Sequence, residues 1–147
     1  MNIKIRDYED SDEKACMDIE KENMEIFEGW NVEGSRRAWD NHFKASYRFV
    51  VENDTEIIGL IILSRPKEDN STELMNIQVK KGYQRQGLGS KLLKHTEQWA
   101  ISKNLSSMTL QVYKDNPVKT LYEKHGFKVE GDGREFNSYL MRKSLDK

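Results

Sequence analysis

The segment Val79–Lys91, VKKGYQRQGLGSK, is the densest piece of chemistry in the chain. Gly87 and Gly89 leave main-chain N–H groups uncovered where a strand pattern gives way to a helix pattern. A helix N-terminus adds free donors and a partial positive charge. From Lys80 to Lys94 there are five basic residues (Lys80, Lys81, Arg85, Lys91, Lys94) and no acid. Donors, room and positive charge together suit a phosphate or pyrophosphate. Two nucleotide-binding loops do not fit. A Walker A loop on Gly82 and Gly87 needs Lys at position 88, where Leu88 stands. A dinucleotide fingerprint needs a small residue at position 92, where Leu92 stands. Without a ligand, the same glycines read as a turn and cap in a solvated basic loop.

Other side chains offer proton chemistry. Glu73 lies six residues ahead of Val79. Strand alternation puts Glu73, Met75, Ile77 and Val79 on one face. A carboxyl among apolar neighbours has a raised pKa and can take a proton; the competing reading is an exposed carboxylate at a strand end. Tyr122 carries a phenol with a reference pKa of about 10, and otherwise reads as a core tyrosine beside Leu121 and Phe127. His125, three residues on, can share its helical face and reads first as a surface histidine. Ten acids between Asp7 and Glu28, against Lys14 and Lys21, either draw in a cation or form a solvated helix face. Trp30, Trp39 and Phe43 can line a pocket, although helical spacing favours the core for Trp39 and Phe43. Three scattered His and the single Cys16 give neither zinc spacing nor an internal disulfide.

These residues need elements to position them. Ile3 and Ile5 alternate with Lys4 and Arg6 as a first strand. Ser11 or Asp12 caps a helix through Ala15, Ile19, Met24 and Phe27, ending at Gly29. A second helix covers Glu33–Phe43. Tyr47–Glu52 and Glu56–Ser64 form an antiparallel hairpin across Asn53-Asp54, and Thr72–Val79 is the next strand. Leu88, Leu92, Leu93, Thr96, Trp99 and Ala100 recur at helical spacing. Met108–Tyr113 is a strand, Pro117 opens a short helix ending at Gly126, and Phe127–Glu130 and Phe136–Met141 close the fold. Only the strand–helix–strand unit from Thr72 to Tyr113 has the connection that a parallel pair requires. The expected class is α/β (α+β), a mixed and mostly antiparallel sheet with one parallel strand–helix–strand core and flanking helices, in a single domain over residues 1–147.

Gln84-x-x-Gly87-x-Gly89 between a strand and a helix resembles the acetyl-CoA-binding motif of the GCN5-related N-acetyltransferases. Asn116-Pro117-Val118-Lys119-Thr120-Leu121-Tyr122-Glu123-Lys124-His125-Gly126-Phe127 resembles that family's second signature, about 30 residues downstream. Val118 replaces the usual Ala, and one residue fewer separates the Asn from the Tyr. The resemblance runs from Ile3 to Met141, with the first 45 residues matching in outline. It implies that Gln84, Arg85, Gln86, Gly87, Leu88, Gly89 and Ser90 hold the coenzyme pyrophosphate, with Asn116 also at the coenzyme. It implies that the main chain of Ile77, Gln78 and Val79 pairs with the pantetheine arm, and that the Val79 N–H faces the oxyanion. Histone-type members place a glutamate base where Glu73 stands, and Tyr122 becomes the proton donor to the leaving thiolate. The first two helices and the final hairpin would line the acceptor site.

The implied activity is acetyl transfer from acetyl-CoA to a primary amine of a small molecule or peptide, in a ternary complex and without metal. The alternative from another class is a non-catalytic acyl-CoA-binding sensor. A homodimer is compatible with either. Of 147 residues, 24 are Lys or Arg and 25 Asp or Glu, so charge nearly cancels to −1. That balance argues against a nucleic-acid-binding domain built on the Lys80–Lys94 patch. The longest apolar run, Ile57–Leu63, is far short of the about 20 residues of a spanning helix. The charged N-terminus MNIKIRDYED lacks a signal-peptide core, which predicts a cytoplasmic protein.

Overall fold

A computed structural model of the chain describes residues 2–26, 29–39 and 46–145. Seven strands hydrogen-bond in the order β1-β2-β3-β4-β5-β7-β6, all antiparallel in the registers described except β4 with β5. The chain divides into two compact units. One comprises residues 1–63 and 76–92, the other residues 64–75 and 93–147. The strand β4 (Ser71–Val79) gives its first five residues to the latter and its last four to the former.

In the first unit, β1 (Lys4–Asp7), β2 (Tyr47–Glu52) and β3 (Ile57–Leu63) form an antiparallel ladder. The hairpin turn is built by Asn53, whose Oδ1 accepts from the N–H groups of Thr55 and Glu56, both at 2.9 Å. In β3, IIGLIIL, six of seven residues are buried, as expected of a strand covered on both faces. Each fully buried Ile or Leu contributes about 1.5–3 kcal/mol, so this strand outweighs the surface ion pairs, worth about 0–1 kcal/mol each. Gly59 lets β4 approach closely: a Cβ there would stand 3.2 Å from the Gln78 carbonyl oxygen.

A 3-10 turn (Asp10–Asp12) leads into α1 (Glu13–Met24). Asp12 accepts from the Glu9 N–H at 2.9 Å and from Arg6 at 2.8 Å, so its carboxylate closes the helix entry rather than facing water. Cys16, Ile19 and Glu20 are buried on one helix face. The second helix, α2 (Val32–Arg37), starts one residue early because Asn31 caps it, its Oδ1 accepting from Gly34 N–H at 2.7 Å. Phe27 and Phe43, expected in the first two helices, lie outside the described residues. Trp39 is buried and stacks on Tyr8 at 5.6 Å, with Arg48 over the Tyr8 ring; it is a core residue.

In the second unit, β4 runs parallel to β5 (Ser107–Tyr113), pairing Ser71–Leu74 with Ser107–Leu110. Helix α3 (Leu88–Ser102) makes the crossover; in this unit it buries Leu93, Thr96 and Ala100, while its first five residues, with buried Leu88 and Leu92, belong to the first unit. The short helix α4 (Lys119–Lys124) ends at Gly126, whose φ of +92° is the left-handed stop that glycine supplies cheaply. The closing strands are β6 (Lys128–Asp132) and β7 (Ser138–Ser144), both displaced towards the C-terminus from the expected spans. The cause is the turn between them. Gly133 N–H donates to Ser138 O at 2.9 Å, Ser138 Oγ donates to Glu135 O at 2.7 Å, and Asn137 is left-handed at φ 60°. Phe136, expected in a strand, sits on this turn 95% exposed.

Candidate active site

In the first unit, the segment between β4 and α3 is a structured turn. Tyr83 N–H donates to Lys80 O at 3.0 Å, and the main chain passes left-handed at Gly82 (φ 90°), Arg85 (φ 63°) and Gly87 (φ 81°). A Cβ on Gly87 would meet nothing within 4 Å, so open space lies in front of the main chain where α3 begins. Gly89 lies inside α3, so the two glycines do different work: Gly87 takes a conformation that side chains resist, while Gly89 keeps the first helical turn bare. Leu88 is buried and anchors the loop; Arg85, Gln86 and Gly87 are exposed. Lys80 pairs with Glu56 at 3.6 Å, whereas among the described residues Arg85 and Lys91 form no ion pair. Open space at Gly87 and positive charge outside any ion pair among the described residues fit a pyrophosphate.

The loop is braced from both sides. Tyr83 Oη donates to Glu56 at 3.3 Å and accepts from Asn53 at 3.2 Å. Gln84 Nε2 donates to Val79 O at 2.9 Å and to Asn23 Oδ1 at 3.2 Å, and Asn23 Nδ2 in turn donates to Val79 O at 3.0 Å and Gln78 Oε1 at 2.8 Å. Gln84 therefore shapes the strand end rather than reaching outward, and Ile77, Gln78 and Val79 form the half-buried end of β4. Asn23 went unnoticed in the sequence. Its signal was a polar residue one turn beyond Ile19 on the buried face of α1.

The acidic run does not form one wall. Asp12 binds Arg6, Asp18 binds Lys14, Glu22 accepts from Lys81 N–H, and buried Glu20 accepts from Ser35 Oγ, from Trp30 Nε1 at 3.4 Å and from Asn76 Nδ2 at 3.4 Å. A cavity of about 540 Å³ beside α1 and α2 is lined by Asp10, Glu13 and Asp18, but also by Lys14, Lys21 and Arg36, with Met17 and Trp30. Its charges balance.

In the second unit, Glu73 is buried but not among apolar groups. Lys67 Nζ donates to its Oε1 at 2.7 Å, and Arg134 grips both oxygens, Nη1 to Oε1 at 3.1 Å and Nη2 to Oε2 at 2.7 Å. Burial alone would raise this carboxyl, but the hydrogen bonds from Arg134 and Lys67 outweigh it and hold it below its ordinary value. The expected raised pKa is thus corrected: two cations from distant segments meet it. Nothing in the spacing of Lys67 or Arg134 signalled this, because each lies in a loop and acts only through the fold.

Tyr122 is buried, edge-on to Phe127 at 6.1 Å, and burial pushes its phenol up to about 12. It lines a cavity of about 170 Å³ with Gln111, Asn116, Val118, Glu135 and Ser138. Its hydroxyl forms no hydrogen bond among the described residues, so the proton is available. Asn116 Oδ1 accepts from Val118 N–H at 3.0 Å and sets the start of α4. His125 is half-buried, and burial with nearby Lys143 lowers its pKa. Glu73 lines a second cavity of about 180 Å³ with Gln111, Gly133 and Arg134. Gln111 is common to both cavities.

No curated protein matches the chain in sequence. A family model described as the Acetyltransferase (GNAT) family matches residues 13–127. Among solved structures, the ribosomal-protein-S18-alanine N-acetyltransferase of Escherichia coli is similar with a TM-score of 0.80 and 22% identity, over 99% of this chain and 96% of that one. The PaiA N-acetyltransferase of Thermoplasma acidophilum, solved in complex with coenzyme A, gives 0.78 and 22% over 98% and 99%. The spermidine/spermine N-acetyltransferase SpeG of Vibrio cholerae gives 0.78 and 23% over 97% and 94%. At these identities the likeness is one of fold.

Proposed function

The chain belongs to the acetyltransferase (GNAT) family and is an acyltransferase, and we propose that it moves an acetyl group from acetyl-CoA to a primary amine by direct transfer in a ternary complex. The observation that carries this reading is the loop at the start of α3, where left-handed Gly87 faces open space beside uncommitted Arg85 and Lys91. Main-chain amides from Arg85 to Ser90 take the pyrophosphate. The main chain of Ile77–Val79 takes the pantetheine arm, with Asn116 also serving the coenzyme. The coenzyme-bound relative supports this assignment.

The amine nitrogen attacks the thioester carbonyl carbon, and the carbonyl oxygen becomes an oxyanion that the Val79 N–H stabilises. Such a donor is worth about 3–4 kcal/mol of barrier. As the C–S bond breaks, the leaving sulfur takes the Tyr122 proton, and Glu73 accepts the proton that the amine sheds. A phenol at about 12 is protonated throughout the neutral range but is a weaker acid than the thiol it forms, so its proton passes as the C–S bond breaks and not to a finished thiolate.

A second reading, a non-catalytic acyl-CoA-binding module, draws on the clamped Glu73. Thiol release with a panel of amines separates the two. The transferase releases CoA only when an amine is present, and Tyr122→Phe lowers that rate by about 10²–10³-fold while leaving the acetyl-CoA Kd unchanged. Tight acetyl-CoA binding with no amine-dependent release would favour the binding module, and an unchanged rate in Tyr122→Phe would remove that residue from the mechanism.

A further inference from the structure

The contact between Arg134 and Glu73 joins two unequal partners. The Glu73 side chain is 10% exposed and that of Arg134 67% exposed. A fork that holds a carboxylate by two parallel N–H···O bonds is among the strongest pairings available to a side chain, yet here one half of it stands at the surface. The main chain under Arg134 is fixed: its N–H donates to Gln111 Oε1 at 2.6 Å, and the turn is closed between Gly133 and Ser138. Only the side chain is free to change partner. If it does, Glu73 keeps Lys67 at 2.7 Å, so the buried carboxylate is never left alone.

The other charged groups around the same cavity are already committed. Asp69 and Arg142 face each other at 3.4 Å, Arg142 also holds Glu130 at 2.6 Å, and Asp132 holds Lys114 at 3.0 Å. Of the two cations on Glu73, Arg134 at 67% exposure stands further into the open than Lys67 at 44%, and what its fork already fits is a carboxylate. The cavity, of about 180 Å³, has room for a small group of that kind.

We propose that Arg134 selects the acceptor: an amine that carries its own carboxylate takes the Arg134 fork from Glu73, seats beside Gln111, and leaves Glu73, now held by Lys67 alone, with an oxygen open to the amine proton. The substrate class is then an amino acid or a derivative with a free carboxylate, and a polyamine, which lacks one, has nothing to offer the fork. The exchange also gates the base. With one cation withdrawn, burial raises the Glu73 carboxyl towards the range where it can accept a proton. This proposal rests on the acetyl-transfer reading and adds the acceptor's chemistry to it.

The test uses the full chain and acetyl-CoA, with thiol release measured on a panel of α-amino acids, their carboxamides and spermidine, compared at equal concentrations of free amine. An acid should be preferred over its carboxamide by about tenfold or more in kcat/KM, because the carboxamide leaves the guanidinium fork half-satisfied. In Arg134→Gln that preference should shrink to within about threefold, through a raised KM for the acid. Arg134→Lys, which keeps the charge but not the fork, should restore part of it. The proposal is overturned if the wild type turns over acid and carboxamide equally, prefers spermidine, turns over no acid in the panel, or keeps its preference in Arg134→Gln. Amine-dependent thiol release that ignores the carboxylate defeats this inference alone. No heat of acetyl-CoA binding, with no release from any amine, defeats the transfer reading as well.

Discussion

The loop before α3 and the cluster around Glu73 solve opposite problems by opposite means. The loop is main chain, left-handed at Gly82, Arg85 and Gly87 ahead of a helix start, and is proposed to meet the coenzyme with its amides. The Glu73 cluster is made of side chains, with Lys67, Glu73 and Arg134 drawn from three separate segments. A main-chain site tolerates changes in the side chains around it but not an obstruction on its glycines. A side-chain site is the reverse: its backbone can be ordinary, and one substitution rewires it.

Three substitutions press on that contrast. The largest effect is expected from Gly89→Asp. A carboxylate in the first turn of α3 is favourable for the helix itself, so thermal stability should hold while calorimetry shows acetyl-CoA affinity falling by about 100-fold or more through repulsion of the diphosphate. Undiminished affinity would mean that the loop does not carry the coenzyme.

Glu73→Gln should act on rate and not on coenzyme binding, lowering turnover by about tenfold or more, most at lower pH where the amine is protonated. An unchanged pH–rate profile would leave water or another group as the base. The same variant reports on stability. A carboxyl held below its ordinary value contributes stability that is full above about pH 4–5 and is lost as pH falls through the folded pKa. The melting temperatures of wild type and variant should therefore differ at neutral pH and converge in acid. The expected gap is small, about 1 kcal/mol, because Arg134 and Lys67 are both largely exposed and solvent screens them.

The smallest effect is expected from Asn23→Ala. Asn23 reaches the loop through Gln84 and the end of β4 through the Val79 carbonyl and Gln78, so acetyl-CoA affinity should weaken by about threefold to tenfold, the scale of one or two hydrogen bonds. A loss as large as that of Gly89→Asp would mean that side chains, not main chain, shape the coenzyme site.

The same contrast explains what could be read before the fold was known. Gly87 and Gly89 stand out because glycine placement is local, and the hairpin of β2 with β3 and the crossover from β4 through α3 to β5 follow from local periodicity. Tyr122 and Asn116 were visible because they share one short segment. Arg134 was invisible, since its role depends on β6 and β7 carrying a turn back to β4 across β5, a relation of long separation that no window of sequence contains. The acidic stretch misled for a related reason: Asp12, Glu20 and Glu22 share a composition, but each is committed to a different partner. Helix boundaries moved where a cap decided them, as Asn31 did for α2.

Gly133 has a bearing on how this chain could diverge. A methyl group on it would strike Ser138 Oγ and lie 2.7 Å from Gln111 Oε1, the same amide oxygen that tethers the next residue's N–H. The smallest possible enlargement there acts as a wedge beneath the hairpin tip. An alanine at this position would have to push the Ser138 and Gln111 side chains aside, and with them the tether under Arg134.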